Sequence, residues 1–596
     1  MSNAHLQVAW AEWLIDSLAA SGVRHAVVSP GSRSTPLVLA IRRAEAEGRL
    51  RATVVADERV AGFMALGEGR VTGEPSLLVC TSGTAAAHYY PALIEASMSG
   101  IPLIVLTADR PPELQARGAN QTIDQAHLFG RWVRESLDLG VPDPDPRACE
   151  GLPRTAARIV QASLNPDPGP VHLNARFRKP LQADSDDPPE LRTLRARVAA
   201  SVAGGLPKPR RPDLRPPPGA LDELAARVRR ARRGIVLAGP APLTGAIPHA
   251  VMKKFLERSG FVLVPEAASQ ERFGGGAPRG SVFDAFEHVL GTSPGPDSLE
   301  PDLVLQLGDA PTGRGLCGWL ASDRAPERVV IARRGFPEAF NRASDVWITD
   351  PGAALDGLSE RLEGIAPEAD WAARARAESV RVWSRLERLL AEQGGFPEPA
   401  AVRAAVDAVP AGGLLALGNS LPVREVDLFC PAADRSIAVL SQRGASGIDG
   451  GISAAAGAVA ASGFPAVLLL GDVSFQHDVG GLAAAGQLER PLAIVVLCNG
   501  GGRLFDLLPI RAALHGDERS FERFFRTAPT VDPAAAAAAF GVEGVSVRTA
   551  AELTRAIGGA LAGTGPVVIA ARVDGPSVAE WIDLLSVSSG RGGAPA

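Results

Sequence analysis

Ala466-Val-Leu-Leu-Leu-Gly-Asp472 and Ala493-Ile-Val-Val-Leu-Cys-Asn499 are two continuous apolar runs. Each ends on an oxygen-bearing side chain, and Gly500-Gly501-Gly502 follow the second. A run without polar alternation reads as a strand buried on both faces, the pattern of a parallel sheet. Asp472 and Asn499 lie 27 residues apart, which leaves room for one crossover helix. Open α/β sheets bind ligands at the carboxyl ends of their strands. A carboxylate, an amide oxygen and a bare glycine carbonyl are hard donors that suit Mg2+ carrying a phosphate ligand. The glycines let backbone come close to such a diphosphate. Either half alone is an ordinary strand-end turn or a flexible loop; the two together at this gap point to a metal–diphosphate site.

The 596-residue chain is too long for a single core. With 46% hydrophobic and 21% charged residues it has the composition of a soluble globular protein. A net charge of −5 leaves no basic footprint for nucleic acid. Positive charge is almost all arginine, with lysine only at positions 179, 208, 253 and 254. The five cysteines, Cys80, Cys149, Cys317, Cys430 and Cys498, form no CxxC pair, so a zinc or disulfide framework is not expected and a reducing compartment fits. No basic-then-apolar leader and no apolar run of about 20 residues is found, so the expectation is a cytoplasmic protein without an integral membrane segment.

Along the chain, strand and helix signals alternate in three similar blocks, predicting an α/β protein of three doubly wound parallel-sheet domains. The first spans 1–182. It opens on the helical stripe Leu6, Trp10, Trp13, Leu14 and Leu18 and holds strands at 25–28, 76–80 and 102–106, with a helix-length segment at 85–98. Residues 183–218 read as a charged, proline-rich linker. A central domain follows at 219–368, with strands near 234–238, 261–264, 302–307 and 328–332. An amphipathic helix connects at 369–395, a third domain runs 396–582, and 583–596 reads as a frayed tail.

Further motifs carry a resemblance. Gly471-Asp472 with Asn499-Gly-Gly-Gly502 resembles the diphosphate-binding domain of thiamine-diphosphate enzymes, although the usual Gly-Asp-Gly and Asn-Asn are here Gly-Asp-Val473 and Cys498-Asn499. The first block contains Ser29-Pro-Gly-Ser-Arg-Ser-Thr-Pro-Leu37, Asp57-Glu58-Arg59, Thr81-Ser-Gly-Thr84, Leu106-Thr-Ala-Asp-Arg-Pro-Pro-Glu-Leu114 and Gly118-Ala-Asn-Gln121. The third contains Asn419-Ser-Leu-Pro-Val-Arg424 and Arg443-Gly-Ala-Ser-Gly-Ile-Asp449. Together these resemble the 2-succinyl-5-enolpyruvyl-6-hydroxy-3-cyclohexene-1-carboxylate synthases. The likeness covers the first and third blocks nearly throughout and the central one loosely.

The resemblance implies pyrimidine-binding, central and diphosphate-binding domains, with thiamine diphosphate and Mg2+ (or Mn2+) as cofactors. It implies decarboxylation of 2-oxoglutarate and addition of the resulting carbanion equivalent to isochorismate, in menaquinone biosynthesis. Metal ligands would be Asp472, Asn499 and the Gly501 carbonyl. The cofactor would also meet Ser446, Gly447, Ile448, Gly471, Val473, Ser474, Gly502, Leu504 and Phe505, with Ile448 supporting its bent form. Glu58 would be the catalytic carboxylate, hydrogen-bonded to the aminopyrimidine. Both substrates are dicarboxylates and call for fork-shaped donors. The implied substrate residues are Arg33, Arg110, Arg424 and Arg443, with Ser32, Asn120, Gln121, Ser420 and Arg314; a second basic residue of some members is Gly315 here. In this superfamily the first and third domains meet across a subunit interface, so a homo-oligomer, dimer or dimer of dimers, is implied.

Competing readings exist. Without the resemblance, Glu58 is a first-turn helix acid, each arginine a solvated surface charge, and Leu504 and Phe505 ordinary core. Gly313-Arg-Gly-Leu-Cys-Gly318 is a GxGxxG after a strand, but no ribose-binding acid ends the next strand at Ala332-Arg-Arg334. His477 reads as an orienting or helix-start residue. Other functions to separate are an acetolactate-synthase-like or 2-keto-acid decarboxylase activity, which the clustered arginines disfavour, and a binding protein that has lost catalysis. Glu58→Gln is expected to abolish turnover while leaving the circular dichroism spectrum unchanged; near-wild-type turnover in that variant would remove Glu58 from the chemistry.

Overall fold

The computed structural model describes residues 2–183, 185–208, 212–274, 276–290, 299–362 and 369–586. Among the described residues seventeen strands form three sheets, all parallel. In the first, β1 (His25–Val28), β2 (Arg51–Val54), β3 (Ser76–Cys80), β4 (Leu103–Asp109), β5 (Ser136–Asp138) and β6 (Pro170–Arg176) lie in the order β2-β1-β3-β4-β6-β5. In the second, β7 (Gly234–Ala238), β8 (Val262–Pro265), β9 (Leu303–Leu307), β10 (Glu327–Ala332) and β11 (Asp345–Ile348) lie as β11-β10-β9-β7-β8. In the third, β12 (Leu414–Leu417), β13 (Ala438–Ser441), β14 (Ala466–Gly471), β15 (Leu492–Leu497), β16 (Glu543–Val547) and β17 (Pro566–Ala571) repeat the first order as β13-β12-β14-β15-β17-β16. The three-domain α/β expectation therefore holds.

The two runs that opened the sequence are β14 and β15. Residues 466–470 and 492–497 are all buried, which is why they lack polar alternation. They pair in register, Leu470 with Val496 and Gly471 with Leu497, so Asp472 and Asn499 leave the same edge of the sheet. Strand order reverses between β1 and β3 in the first sheet and between β12 and β14 in the third. The loops leaving those strands lie at the crevice where doubly wound sheets bind ligands.

By contacts the chain divides into two compact units. One comprises 1–212, 442–463 and 477–488 and contains the first sheet. The other comprises 213–441, 464–476 and 489–596 and contains the second and third sheets. In the first unit the sheet is covered on both faces. Trp10, Leu14, Leu18 and Ile104 lie in one apolar cluster, and Phe63, Leu66, Leu93 and Val105 in the other.

Several boundaries differ from the sequence reading. The segment expected as a linker contains a helix, Pro189–Ser201, whose Leu191, Leu194 and Val198 join the first core. Proline-rich flanks hid a short apolar stripe. The helix expected at 85–98 is two, Thr84–Ala87 and Tyr90–Ser99; Pro91 starts the second and restrains the residue before it. The last helix, Val578–Ser586, runs into the expected tail, and the rest of that tail lies outside the described residues. The helix expected at 369–395 is observed at Ala369–Gln393.

In the first unit the helices Glu58–Thr72 and Gly451–Ser462 touch backbone to backbone. A Cβ on Gly67 would lie 1.9 Å from the Ala454 carbonyl oxygen, and one on Gly457 would lie 2.0 Å from that of Met64. Gly457→Ala is expected to cost about 1–3 kcal/mol by overpacking. Gly558→Ala, on the exposed face of the helix Ala550–Ala562 with nothing within 4 Å, should be neutral or stabilising by up to about 1 kcal/mol. Urea unfolding of the two variants side by side measures the difference.

Candidate functional site

The loop after β1 approaches the loop after β3 so closely that a Cβ on Gly31 would lie 2.4 Å from the Thr81 side chain. The Arg33 N–H donates to Thr81 Oγ1 at 3.3 Å, and Arg33 Nη1 donates to the Phe177 carbonyl at 2.7 Å. Arg33 is only 3% exposed. Burial, then the nearby Arg110 guanidinium, lower its pKa, and Asp109 opposes them. Asp109 is wholly buried and is committed to the Arg110 N–H (2.6 Å), Asn174 Nδ2 (3.0 Å) and the Arg176 guanidinium (3.0 Å). Arg33 Nε and Arg110 Nε are both buried with no hydrogen-bond partner. Two neighbouring cations with orphaned donors are built for an anion.

Gln121 sits at positive φ (55°), locked by Nε2 to the Ser82 carbonyl at 2.8 Å and by its own carbonyl to Ser82 Oγ at 3.1 Å. Asn120 is exposed. Ser32 begins a 3-10 turn, Ser32–Ser34, leading into the helix Thr35–Ala46, where Pro36 occupies the first turn.

Glu58 begins the helix Glu58–Thr72, which Asp57 caps through the Arg59 N–H. It is half-buried, and among the described residues its carboxylate has no hydrogen-bond partner. Its charge acts on two groups beneath it, Cys80 and Tyr89. Burial first, with Glu58 adding to it, pushes the pKa of each up.

Arg443 is followed by a backbone held from below. The Gly444 and Ala445 N–H groups donate to the two oxygens of Glu95 at 3.0 and 2.6 Å, and Arg70 pairs with the same carboxylate at 3.0 Å. Glu95 is 2% exposed. Ser446 takes positive φ (60°), and a Cβ on Gly447 would lie 2.0 Å from Asp449 Oδ1. Strain of this kind persists only where the surroundings enforce it. Ile448 is half-buried, so part of its apolar side chain faces outward.

In the second unit, β14 delivers Asp472, 7% exposed. Asp472 Oδ1 accepts the Val473 N–H at 2.8 Å, and Oδ2 accepts those of Gly500 and Gly501 at 3.1 and 3.0 Å. Burial raises its pKa, and these N–H groups pull the other way. Gly500 and Gly501 both have positive φ, and a Cβ on Gly501 would lie 2.2 Å from the Arg526 carbonyl oxygen. The Gly501 carbonyl accepts the Arg503 N–H at 2.8 Å, and Gly502 donates to Arg526 at 2.7 Å.

Asn499 Nδ2 donates to Glu398 Oε1 at 2.7 Å, while Asn499 Oδ1 is buried with no partner. Beside Glu398 stands Glu425, fully buried. Burial first, then the Glu398 charge, hold Glu425 well above the usual carboxylate range. Burial raises Glu398 as well, opposed by Glu425 and Asn499.

The remaining expected residues fall around this loop or on the central domain. Ser474 is buried and Val473 half-buried on the short helix Asp472–His477, which His477 ends rather than starts. Leu504 packs at the rim of the cluster containing Phe429 and Trp581, and Phe505 makes an edge contact with Phe525 at 5.5 Å, so both serve packing as well. Ser420 has positive φ (71°), and its carbonyl accepts Arg424 Nη1.

Arg314 is exposed at the start of the helix Arg314–Ala321. Glu266 takes the N–H groups of Thr312 and Gly313, and Glu287 those of Gly315 and Leu316. Burial pushes Glu287 up to about 7 against the pull of those two donors. The N-terminus that a GxGxxG dinucleotide turn would offer to a pyrophosphate is therefore already filled by two carboxylates.

A cation with a diphosphate fits the Asp472–Asn499 loop. An orphaned amide oxygen, a carboxylate with spare lone pairs and glycine backbone that no side chain can crowd meet at one strand edge. Among the described residues no group of three or more His, Cys, Asp or Glu could hold a metal, so a site there would rely on this mixed donor set. Glu95 and Glu398 escaped the sequence reading. Each looks like an ordinary helix acid, and only tertiary burial sets it apart.

Comparison with known proteins adds two domain matches. Residues 9–128 match the thiamine pyrophosphate enzyme N-terminal TPP binding domain, and residues 431–571 match the C-terminal TPP binding domain. Three curated relatives carry the name 2-succinyl-5-enolpyruvyl-6-hydroxy-3-cyclohexene-1-carboxylate synthase. The Sorangium cellulosum protein is 41% identical over 100% of this chain and 98% of its own length. That of Myxococcus xanthus is 40% identical over 96% and 95%, and that of Haloarcula marismortui 38% over 89% of each.

Proposed function

The chain belongs to the 2-succinyl-5-enolpyruvyl-6-hydroxy-3-cyclohexene-1-carboxylate synthase family of thiamine-diphosphate enzymes, and we propose that it makes that product from 2-oxoglutarate and isochorismate, within menaquinone biosynthesis. The C1–C2 bond of 2-oxoglutarate breaks with loss of carbon dioxide, and C2 forms a new bond to the isochorismate ring by conjugate addition. Bound thiamine diphosphate supplies the electron sink for both steps.

The chain supplies position and charge. Asp472, Asn499 and the Gly501 carbonyl hold Mg2+, or Mn2+ in its place. Gly471, Val473, Ser474, Gly502, Leu504 and Phe505 enclose the diphosphate end, and Ser446, Gly447 and Ile448 the remainder. Glu58 holds a proton at the aminopyrimidine. Arg33 and Arg110, joined by Arg443, Arg424 and Arg314, neutralise substrate carboxylates, with Ser32, Asn120, Gln121 and Ser420 as neutral donors. The observation that carries the dicarboxylate reading is the Arg33–Arg110 pair, adjacent cations whose buried Nε donors lack partners. A small monocarboxylate would leave one of them unmatched, which weighs against acetolactate-synthase or simple decarboxylase chemistry. Among the described residues no helix is long and apolar enough to cross a membrane, and we place the working enzyme in the cytoplasm as a homodimer or dimer of dimers, the active site being completed between protomers.

The test supplies thiamine diphosphate, Mg2+ and 2-oxoglutarate, with and without isochorismate. Carbon dioxide release and loss of isochorismate absorbance are expected in equal amounts, with little decarboxylation when isochorismate is omitted. Carbon dioxide release without isochorismate consumption would replace this reading with a decarboxylase, and neither signal would reject catalysis of this class.

A further inference from the structure

A carboxamide presents either an oxygen or an NH2 group to a cation, and the partner of its other end decides which. Asn499 has that other end fixed. Its Nδ2 donates to Glu398 Oε1 at 2.7 Å, and its Oδ1 is left buried and unpartnered. An orphaned buried acceptor is costly, and a cation would satisfy it. The backbone just beyond Asn499, at Gly500 and Gly501, is tied to Asp472 Oδ2, so the amide stands at the edge of the same loop as the carboxylate.

Glu398 is not a surface acid that happens to be near. It lies in the first turn of the helix Glu398–Asp407, 4% exposed, with the wholly buried Glu425 beside it. Two carboxyl groups placed together in a core oppose stability, and the hydrogen bond to Asn499 gives one of them a task.

We propose that Glu398 is a positioning residue for the metal site, turning the Asn499 amide so that its oxygen, and not its NH2, faces the cation. The role rests on the thiamine-diphosphate reading above and adds a residue that touches neither cofactor nor substrate. It parallels the outer partners that orient ligands in other metal sites, whose loss typically weakens metal binding by about 10–100-fold.

The test measures the Kd for Mn2+ in the presence of thiamine diphosphate, by electron paramagnetic resonance of the free ion, on the full chain. Glu398→Met keeps the volume and removes the acceptor, and its Kd should rise about 10–100-fold, with kcat recovering once Mn2+ saturates. Glu398→Gln keeps a carbonyl acceptor but can also donate, so either orientation of Asn499 is satisfied; its Kd should rise between about twofold and tenfold. If Glu398→Met does not fold, the glutamine variant decides by the same window. A change under twofold in the folded variants overturns the proposal. So does a loss of tenfold or more in Glu398→Gln, which would assign the effect to charge. Failure of the unaltered protein to bind Mn2+ with thiamine diphosphate would instead remove the metal-site reading on which the proposal stands.

Discussion

A parallel sheet sends every strand out through the same edge, and the connections between strands must return along its faces. That constraint sets where the strand-end loops of this chain emerge. The first and third sheets share one strand order, and in each the order reverses beside the strand that delivers a key loop. In the first sheet the reversal brings Gly31 and Arg33 against Thr81. In the third it brings the Asn419–Ser420 loop and Asp472 out between neighbouring strands. β14 and β15 stay apolar because both faces are covered, so their polar groups are displaced to the ends.

Loops at a sheet edge would be mobile without support, and here buried carboxylates supply it. Glu95 receives the N–H groups after Arg443, Glu266 and Glu287 those around Arg314, and Asp472 those of its own glycine loop. A hydrogen bond to a carboxyl oxygen is stronger where burial lowers the local dielectric. The same burial makes each acid expensive to leave unpaired, so these contacts resist loosening. Glycines complete the device where carbonyls or side chains come within reach of a Cβ, as at Gly31, Gly67 and Gly501.

The sequence was most readable where burial was symmetrical. The runs now seen as β14 and β15 could be recognised because neither face admits a polar residue. The long helix Ala369–Gln393 carried an unbroken apolar stripe with a Gly-Gly stop. Short or edge elements were harder. β5 has three residues, β16 is largely exposed, and the helix Pro189–Ser201 was masked by its proline-rich surroundings. Proposed site residues that lie in motifs, such as Arg33, Glu58 and Asp472, are named from the strings around them. Glu398 and Glu95 are not, because an acid in a helix looks the same whether its carboxyl meets water or the amide of a residue far away in sequence. The GxGxxG string is a decoy in the opposite sense: its spacing is right for a dinucleotide turn, but no ribose-binding acid ends the next strand, and acids from elsewhere in the chain fill the helix start.

The Asp472–Asn499 loop is proposed to hold the metal of a diphosphate cofactor. Diffraction from crystals grown with thiamine diphosphate and Mn2+, collected for anomalous signal, tests it most directly. One strong peak is expected about 2.0–2.3 Å from an Asp472 carboxylate oxygen, Asn499 Oδ1 and the Gly501 carbonyl. A peak elsewhere, or an Asn499 amide turned with its nitrogen towards the ion, would contradict it.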